Sequence, residues 1–367
     1  MKRYFTLIIT LLFISCGATK SSSQIQPVSN TTSSSTSKRV QSDLLVNKLI
    51  DKKDVKLPED LVKEYAESMS EDDFKKLVYT LADDKYEGRK TGEKGQKMAA
   101  EFIVDYYKNL GISAANDDGN YLQHIPVEYF RGLSADDSEN VVAYIKGSEI
   151  PEEYIVISAH YDHLGVQGEK IYNGADDDAS GTSAVLLIAE AFKNAVEQGN
   201  GPKRSIVFLH VTGEEEGLYG SRYYTENPIF PLENTVTNLN IDMIGRYDIQ
   251  HKDNPEFVYL IGSDKLSSEL HELSEAINKK YTNLMLDYTY NDENDPNRFY
   301  YRSDHYNFAK NNIPVIFYFT GVHKDYHKET DTADKIQYDL LQKRTHLVFY
   351  TAWEIANKEN RLVVDKK

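Results

Sequence analysis

The sequence predicts an α/β fold, a three-layer sandwich whose mostly parallel, twisted central sheet is flanked by helices. Three observations predict it. Apolar runs at 140–145 (NVVAYI), 154–159 (YIVISA), 205–211 (SIVFLHV), 239–243 (LNIDM), 257–261 (FVYLI) and 314–319 (PVIFYF) lack the polar alternation of a half-exposed strand. Runs of that kind belong in a sheet covered on both faces. Helical stretches at 179–197, 265–280, 304–310 and 340–357 fall between or after them, and repeated strand–helix–strand order gives an open sandwich whose sites lie at the carboxyl ends of strands. No segment repeats at a period of roughly 20–50 residues, which argues against a solenoid or propeller.

The elements follow in order from the amino terminus. Lys2 and Arg3 precede an apolar run from Tyr4 to Ser15, and Cys16 follows directly. This is the pattern of a signal peptide over 1–15, because a dozen residues rise only about 18 Å as a helix and fall short of a bilayer. Phe13-Ile14-Ser15-Cys16 resembles a bacterial lipobox, which implies acylation of Cys16 and attachment to the cell envelope, at the outer membrane, in the periplasm or on the cell surface. Residues 16–41 are Ser/Thr-rich with almost no large apolar side chain and read as a flexible tether. The globular part, 42–367, divides into a helical segment (42–110) and a catalytic α/β core (111–367). In the helical segment Ser70 caps a helix through 74–81, and a longer helix over 94–110 stops at Gly111.

Composition narrows the chemistry. With 58 Asp+Glu against 42 Lys+Arg, a formal charge of -16 repels phosphate backbones, so nucleic acid is not an expected partner. One cysteine makes neither an internal disulfide nor a thiolate zinc site, so any metal is held by His, Asp and Glu. The lipid anchor is the only membrane attachment expected, and no motif assigns an oligomeric state.

Strand ends carry the candidate residues. The run 154–159 ends in His160-Tyr161-Asp162-His163, whose spacing lets Asp162 reach back to the His160 ring and set its tautomer. Asp176, Asp177 and Asp178 open a helix; adjacent carboxylates repel unless a cation or the helix N-terminus compensates, so the cluster reads equally as a cap or a metal site. The third strand ends in Gly213-Glu214-Glu215-Glu216, where neighbouring carboxylates can divide metal binding from proton transfer. Asp242 lies among apolar residues, which is costly unless it is paired or ligated. His327 follows the last apolar strand. Two histidines and three carboxylates, His160, Asp177, Glu215, Asp242 and His327, suit a pair of divalent ions with one carboxylate between them.

These residues sit in AHYDH (159–163), NGADDDASGT (173–182), TGEEEGLYGS (212–221), NIDMIG (240–245), RSDHYNF (302–308) and YHKETDT (326–332). In that order they resemble the M28 family of zinc aminopeptidases, from about Asp83 to the end of the chain. The resemblance implies the zinc-aminopeptidase, phosphorylase/hydrolase-like sandwich and two zinc ions, with Co, Mn or Ni also accepted by such ligands. It implies Asp177 as the bridging carboxylate, His160 and Asp242 completing one ion, and Glu215 and His327 the other. Glu214 then corresponds to the general base, Asp162 to the carboxylate orienting His160, and Tyr300 to a tyrosine near the oxyanion. The implied activity is removal of N-terminal residues from peptides or proteins. The interval from Gly111 to Glu152 is only 42 residues, too short for the protease-associated domain some members insert there. Two rival readings stand beside this one: a glutaminyl-cyclase-like enzyme with a single zinc, and a catalytically inactive binding lipoprotein.

Overall fold

The structure, a computed structural model, describes residues 58–116 and 118–366. The leader at 1–15, Cys16, the 16–41 stretch and the first part of the helical segment, 42–57, lie outside the described residues. Helices α1 (Glu59–Glu67), α2 (Glu71–Leu81) and α3 (Lys94–Leu110) precede strands β1 (Ser113–Ala114), β2 (Leu122–Ile125), β3 (Ser138–Ile145) and β4 (Ile150–His160). A small hairpin, β5 (Gly165–Gln167) and β6 (Lys170–Tyr172), leads to α4 (Gly181–Glu197), β7 (Arg204–Val211), α5 (Tyr219–Glu226), β8 (Thr235–Ile241) and β9 (Phe257–Ile261). There follow α6 (Ser268–Ile277), β10 (Met285–Asp287), α7 (His305–Ala309), β11 (Val315–Phe319) and α8 (Tyr338–Asn357). Among the described residues no helix is long and apolar enough to cross a membrane.

The main sheet runs β1-β3-β7-β4-β8-β11-β9-β10, with β2 also paired to β3. Its middle, β7-β4-β8-β11, is parallel, and pairing turns antiparallel outward, at β3 against β7 and at β9 against β11. The chain leaves β4, returns on one side as β7 and then crosses to the other side as β8. That reversal makes the carboxyl end of β4 a topological switch point, where an open α/β sheet leaves a crevice. His160 is the last residue of β4. The run at 239–243 is shorter as a strand than its apolar pattern suggests: β8 stops at Ile241, so Asp242 sits just past the strand end, facing the crevice and not a packed layer.

Both sheet faces are covered, as the uninterrupted apolar runs require. Ile155, Ile157 and Ala159 of β4 point to one side and pack with α2, α3, α4 and α8, whereas Val156, Val207 and Leu209 point to the other, against Tyr224 of α5 and Phe308 of α7. This is the period-2 alternation of a strand. Helix α4 is buried on nearly every side, which explains its almost unbroken apolar run from Ala184 to Ala189. The end signals behave as their chemistry dictates: the Ser70 hydroxyl accepts from Asp73 N at 3.2 Å to cap α2, and Gly111 takes the left-handed φ of 65° that ends α3.

Arg89 stitches the helical segment to the sheet's working edge. Its buried guanidinium donates to the carbonyls of Leu81 (2.6 Å), Tyr161 (2.8 Å), Asn173 (2.6 Å) and Gly174 (2.9 Å). The last three belong to segments flanking His160 and Asp177. A planar five-donor fork satisfies four carbonyls at once, which a lysine ammonium cannot do.

Deeper in the core, His210 is fully buried with Tyr107 Oη 2.7 Å from its Nε2. Burial lowers its pKa to about 3. The unfolded chain, with an ordinary histidine pKa of about 6.5, therefore binds a proton that the folded chain refuses. Stability is intact above that value and lost as pH falls toward about 3. Between pH 7 and pH 5 this group alone is expected to remove about 2 kcal/mol. Urea unfolding of wild type and His210→Gln at the two pH values checks it: an unchanged difference between them would show that His210 is not the acid-sensitive group.

Candidate metal centre

Five chain segments meet at the carboxyl edge of the parallel strands. β4 brings His160, the turn before α4 brings Asp176, Asp177 and Asp178, and the loop after β7 brings Glu214 and Glu215. The residue after β8 is Asp242, and the loop after β11 carries His327. The three consecutive aspartates part company. Asp176 Oδ1 accepts from Gly245 N at 2.6 Å, and its Oδ2 lies 3.2 Å from His323 Nε2. Asp178 Oδ1 accepts from Gly181 N at 2.9 Å, at the start of α4, and from Met243 N at 3.1 Å. Of the three, Asp177 lines the cleft. Asp178 thus meets the start of α4 as a cap would, while Asp177 faces the other candidate ligands.

Asp177 is the centre of the geometry. Its Oδ1 lies 3.1 Å from His160 Nε2, which is also 3.6 Å from Asp242 Oδ1. Its Oδ2 lies 3.1 Å from His327 Nε2, which is equally 3.1 Å from Glu215 Oε2. Burial opposes ionisation of Asp177, but His163, His160 and His327 outweigh it and hold the carboxyl well below the usual range. The histidines respond in kind. Burial works against charge on His327, yet Asp177 and Glu215 raise it to about 10, and Asp162, Asp177 and Asp242 likewise raise His160. Asp178 goes the other way, pushed well above a carboxylate's ordinary value by its burial.

Glu214 and Tyr326 line a small cleft with Asp177, Asp242 and His327. Its apolar wall includes Met243, Phe299, Phe317 and Phe319. Burial, with Asp242 and Glu215 close by, pushes the Glu214 carboxyl well above its ordinary value. Two expectations need correction. Asp162 does not orient His160 mainly through its carboxylate: Nδ1 is 3.1 Å from the Asp162 carbonyl and 3.7 Å from the carboxylate. The carboxylate instead accepts from Thr91 Oγ1 at 2.9 Å and from Glu214 N at 3.3 Å, because the chain turns between residues 160 and 162 and aims it at the β7 loop. Tyr300 does not line the cleft. Its ring packs edge-on to His305, Tyr301 and Tyr306 with Lys265 over its face, behind the 299–301 turn. Tyr326 occupies the cleft wall, stacked on His327 with ring centroids 3.8 Å apart.

Sequence reasoning also missed His163, fully buried, with Nδ1 2.7 Å from Glu215 Oε1 and 3.8 Å from Asp177 Oδ2. The only signal was its place in the AHYDH run. Ser303 was equally silent: its hydroxyl donates to Asp242 Oδ2 at 2.7 Å and accepts from Asn240 Nδ2 at 2.9 Å. Asn240 in turn accepts from Ser158 at 2.7 Å, so a buried polar chain on the sheet turns Asp242 Oδ1 toward His160.

The donors fit a metal of the zinc type. His160 Nε2, His163 Nδ1, Asp177 Oδ2 and Glu215 Oε1 are buried and lie 2.7–3.1 Å from an oppositely charged group, yet none of these contacts has hydrogen-bond geometry among the described residues. Orphaned polar atoms of that number are costly unless something else meets their lone pairs. The set mixes imidazole nitrogen and carboxylate oxygen, the ligands zinc takes without thiolate. Groups His160–Asp178–Asp242 and His163–Asp177–Glu215 each gather ligand atoms within 4.8 Å of one another. Asp177 Oδ1, 3.1 Å from His160 Nε2, adds a further donor to the first group, in which Asp178 Oδ1 is held by two backbone N–H groups and Asp178 Oδ2 has no hydrogen-bond partner among the described residues.

Comparisons with known proteins show what the chain is similar to. The family model Peptidase family M28 matches residues 140–352. A probable zinc metalloprotease of Pyrenophora tritici-repentis is 38% identical over 113 residues, 29% of this chain and 22% of that protein. The aminopeptidase NAALADL1 of Rattus norvegicus is 33% identical over 121 residues, 32% of this chain and 15% of that protein. The matches thus span under a quarter of the length of these curated relatives. The crystal structure of the Legionella pneumophila LapA aminopeptidase superposes with a TM-score of 0.63 at 20% identity, covering 84% of this chain and 76% of that one, a likeness of fold.

Removing the Ser303 hydroxyl is expected to leave the fold intact and lower zinc affinity about 10–100-fold, by freeing the Asp242 carboxylate to rotate. Competition with a chromophoric chelator measures it for Ser303→Ala. Wild-type affinity in that variant would show that Asp242 is held by other means.

Proposed function

The chain belongs to peptidase family M28, and from that premise we propose that it is a zinc-dependent aminopeptidase that binds two metal ions. The observation that carries the reading is one carboxylate facing two separate imidazoles, with Asp177 Oδ1 and Oδ2 each 3.1 Å from a different Nε2. That arrangement supports Asp177 as the shared ligand, His160 and Asp242 as the rest of one set, and Glu215 and His327 as the rest of the other. Bound zinc would supply Lewis acidity, lowering the pKa of water and polarising the scissile carbonyl.

The chain's own residues carry the proton. Glu214 lines the cleft, and its backbone is held through Asp162. Burial raises the Glu214 carboxyl above its ordinary value and so strengthens it as a proton acceptor, and a carboxylate in this place can take a proton from water and return it to the leaving amine. The buried floor of Met243, Phe317 and Phe319 excludes water from one side and favours an apolar N-terminal side chain.

The zinc-loaded protein is expected to contain two zinc ions per chain by elemental analysis and to release leucine or phenylalanine only from peptides with a free N-terminus. Glu214→Gln should keep both ions and lose activity about 10²–10⁴-fold; Asp177→Asn should lose metal and activity together. One ion per chain with cyclisation of N-terminal glutamine would replace this reading with the cyclase one, and full turnover by metal-loaded Glu214→Gln would remove Glu214 as the base.

We also propose that the protein is anchored in the cell envelope through Cys16. The support is the Lys2–Cys16 pattern. Cys16→Ser is expected to move the protein from the membrane to the soluble fraction; unchanged membrane recovery without acyl label would count against the anchor.

A further inference from the structure

Among the described residues Arg302 is the one cation other than a histidine on the cleft wall, which it shares with Asp177, Glu214 and Asp242. Its guanidinium lies over the Phe299 ring at 4.8 Å and makes no ion pair or side-chain hydrogen bond among the described residues. The buried or half-buried arginines are engaged, with Arg204 2.6 Å from Glu153, Arg246 3.1 Å from Asp325, and Arg89 and Arg344 wrapped in carbonyls, whereas Arg298, over the Tyr301 ring, is left like Arg302 with an aromatic contact alone. In a chain with 16 more acidic than basic residues, a free guanidinium beside a cleft has not lacked carboxylates to pair with.

Its placement is built. Arg302 N donates to Phe299 O at 3.0 Å, and the next residue, Ser303, is hydrogen-bonded to Asp242 Oδ2. The backbone at 302 is therefore tied to the candidate metal centre itself. Stacking on Phe299 holds the guanidinium plane while leaving N–H edges open, the geometry that receives a carboxylate in bidentate fashion. Phe317 and Phe319 are buried in the cleft floor, whereas Arg302 is exposed at its rim. The floor suits the N-terminal side chain, and the rim suits what projects beyond the scissile bond.

We propose that Arg302 receives a substrate carboxylate on the leaving side of the peptide bond, so that the favoured substrates are short peptides with a negative charge next to that bond. The inference rests on the peptidase reading above. The carboxylate has two sources, the C-terminus of a dipeptide or an acidic side chain at the second residue, and paired peptides separate them.

The test measures kcat and KM of the zinc-loaded protein on Leu-Gly against Leu-Gly-amide, and on Leu-Asp-amide against Leu-Asn-amide. The carboxylate member of at least one pair is expected to be favoured about ten- to hundredfold in kcat/KM, mainly through KM. Arg302→Gln should collapse that ratio to within about twofold and Arg302→Lys should restore part of it. The wild-type preference should also shrink as salt rises, a second readout that needs no variant. Hydrolysis of all four peptides without charge preference, or a preference unchanged in Arg302→Gln, overturns the role of Arg302 and leaves the peptidase reading standing. Hydrolysis of none by folded, metal-loaded protein overturns both.

Discussion

Crowded negative charge is the constraint to which the rest of this structure answers. Asp162, Asp176, Asp177, Asp178, Glu215 and Asp242 approach one another at the carboxyl edge of the sheet, and the four aspartates from 162 to 178 are almost wholly buried. Carboxylates removed from water repel and desolvate at a cost of several kcal/mol each unless compensated. Each is compensated differently: Asp176 by Gly245 N and His323, Asp178 by the start of α4, and Asp162 by Thr91 and the Glu214 backbone. Asp177 and Glu215 are left facing imidazoles, and their Oδ2 and Oε1 atoms are among the buried oxygens without a hydrogen-bond partner among the described residues. A site that satisfies its surroundings with backbone donors and leaves its inward oxygens bare is organised for a cation.

That organisation depends on rigid supports. Parallel strands paired on both sides hold the Cα positions of His160 and of the residues before Asp242, while the Ser158–Asn240–Ser303 chain sets the carboxylate's rotation. Arg89 fixes the segments on either side of β4's end from beneath. Left-handed backbone at Met243 (φ 56°) and His327 (φ 54°) falls beside or on the candidate ligands. Non-glycine residues reach that region only where the surroundings overdetermine them, and such positions gather at functional sites.

The cleft above the cluster combines two surfaces of unlike chemistry. Buried aromatic rings form its floor, and a free guanidinium stands at its rim. Rings on the floor discriminate by volume and water exclusion, whereas a charge at the rim discriminates by the sign of what leaves the cleft. Phe299, Phe317 and Phe319 lie outside the motifs around the carboxylates, whereas Met243 directly follows Asp242 and Arg302 directly precedes Ser303, so the two surfaces are joined to the cluster through Asp242.

What the sequence determined by itself was whatever repeats locally. Apolar runs identified the sheet and its double covering, Ser70 and Gly111 marked helix ends, and His160, Asp177, Glu215, Asp242 and His327 stood out because each falls beside a strand end. Contacts between side chains distant along the chain were decided only by tertiary structure. The direction of each of three adjacent aspartates, the turn that sends Asp162 to Glu214 and not squarely to His160, the place of Tyr326 where Tyr300 was expected, and the entry of His163 and Arg302 all arise from loops whose paths no periodicity encodes. Periodicity reports which face a residue is on; which partner it meets there depends on where other strands end, and that is settled when the sheet assembles.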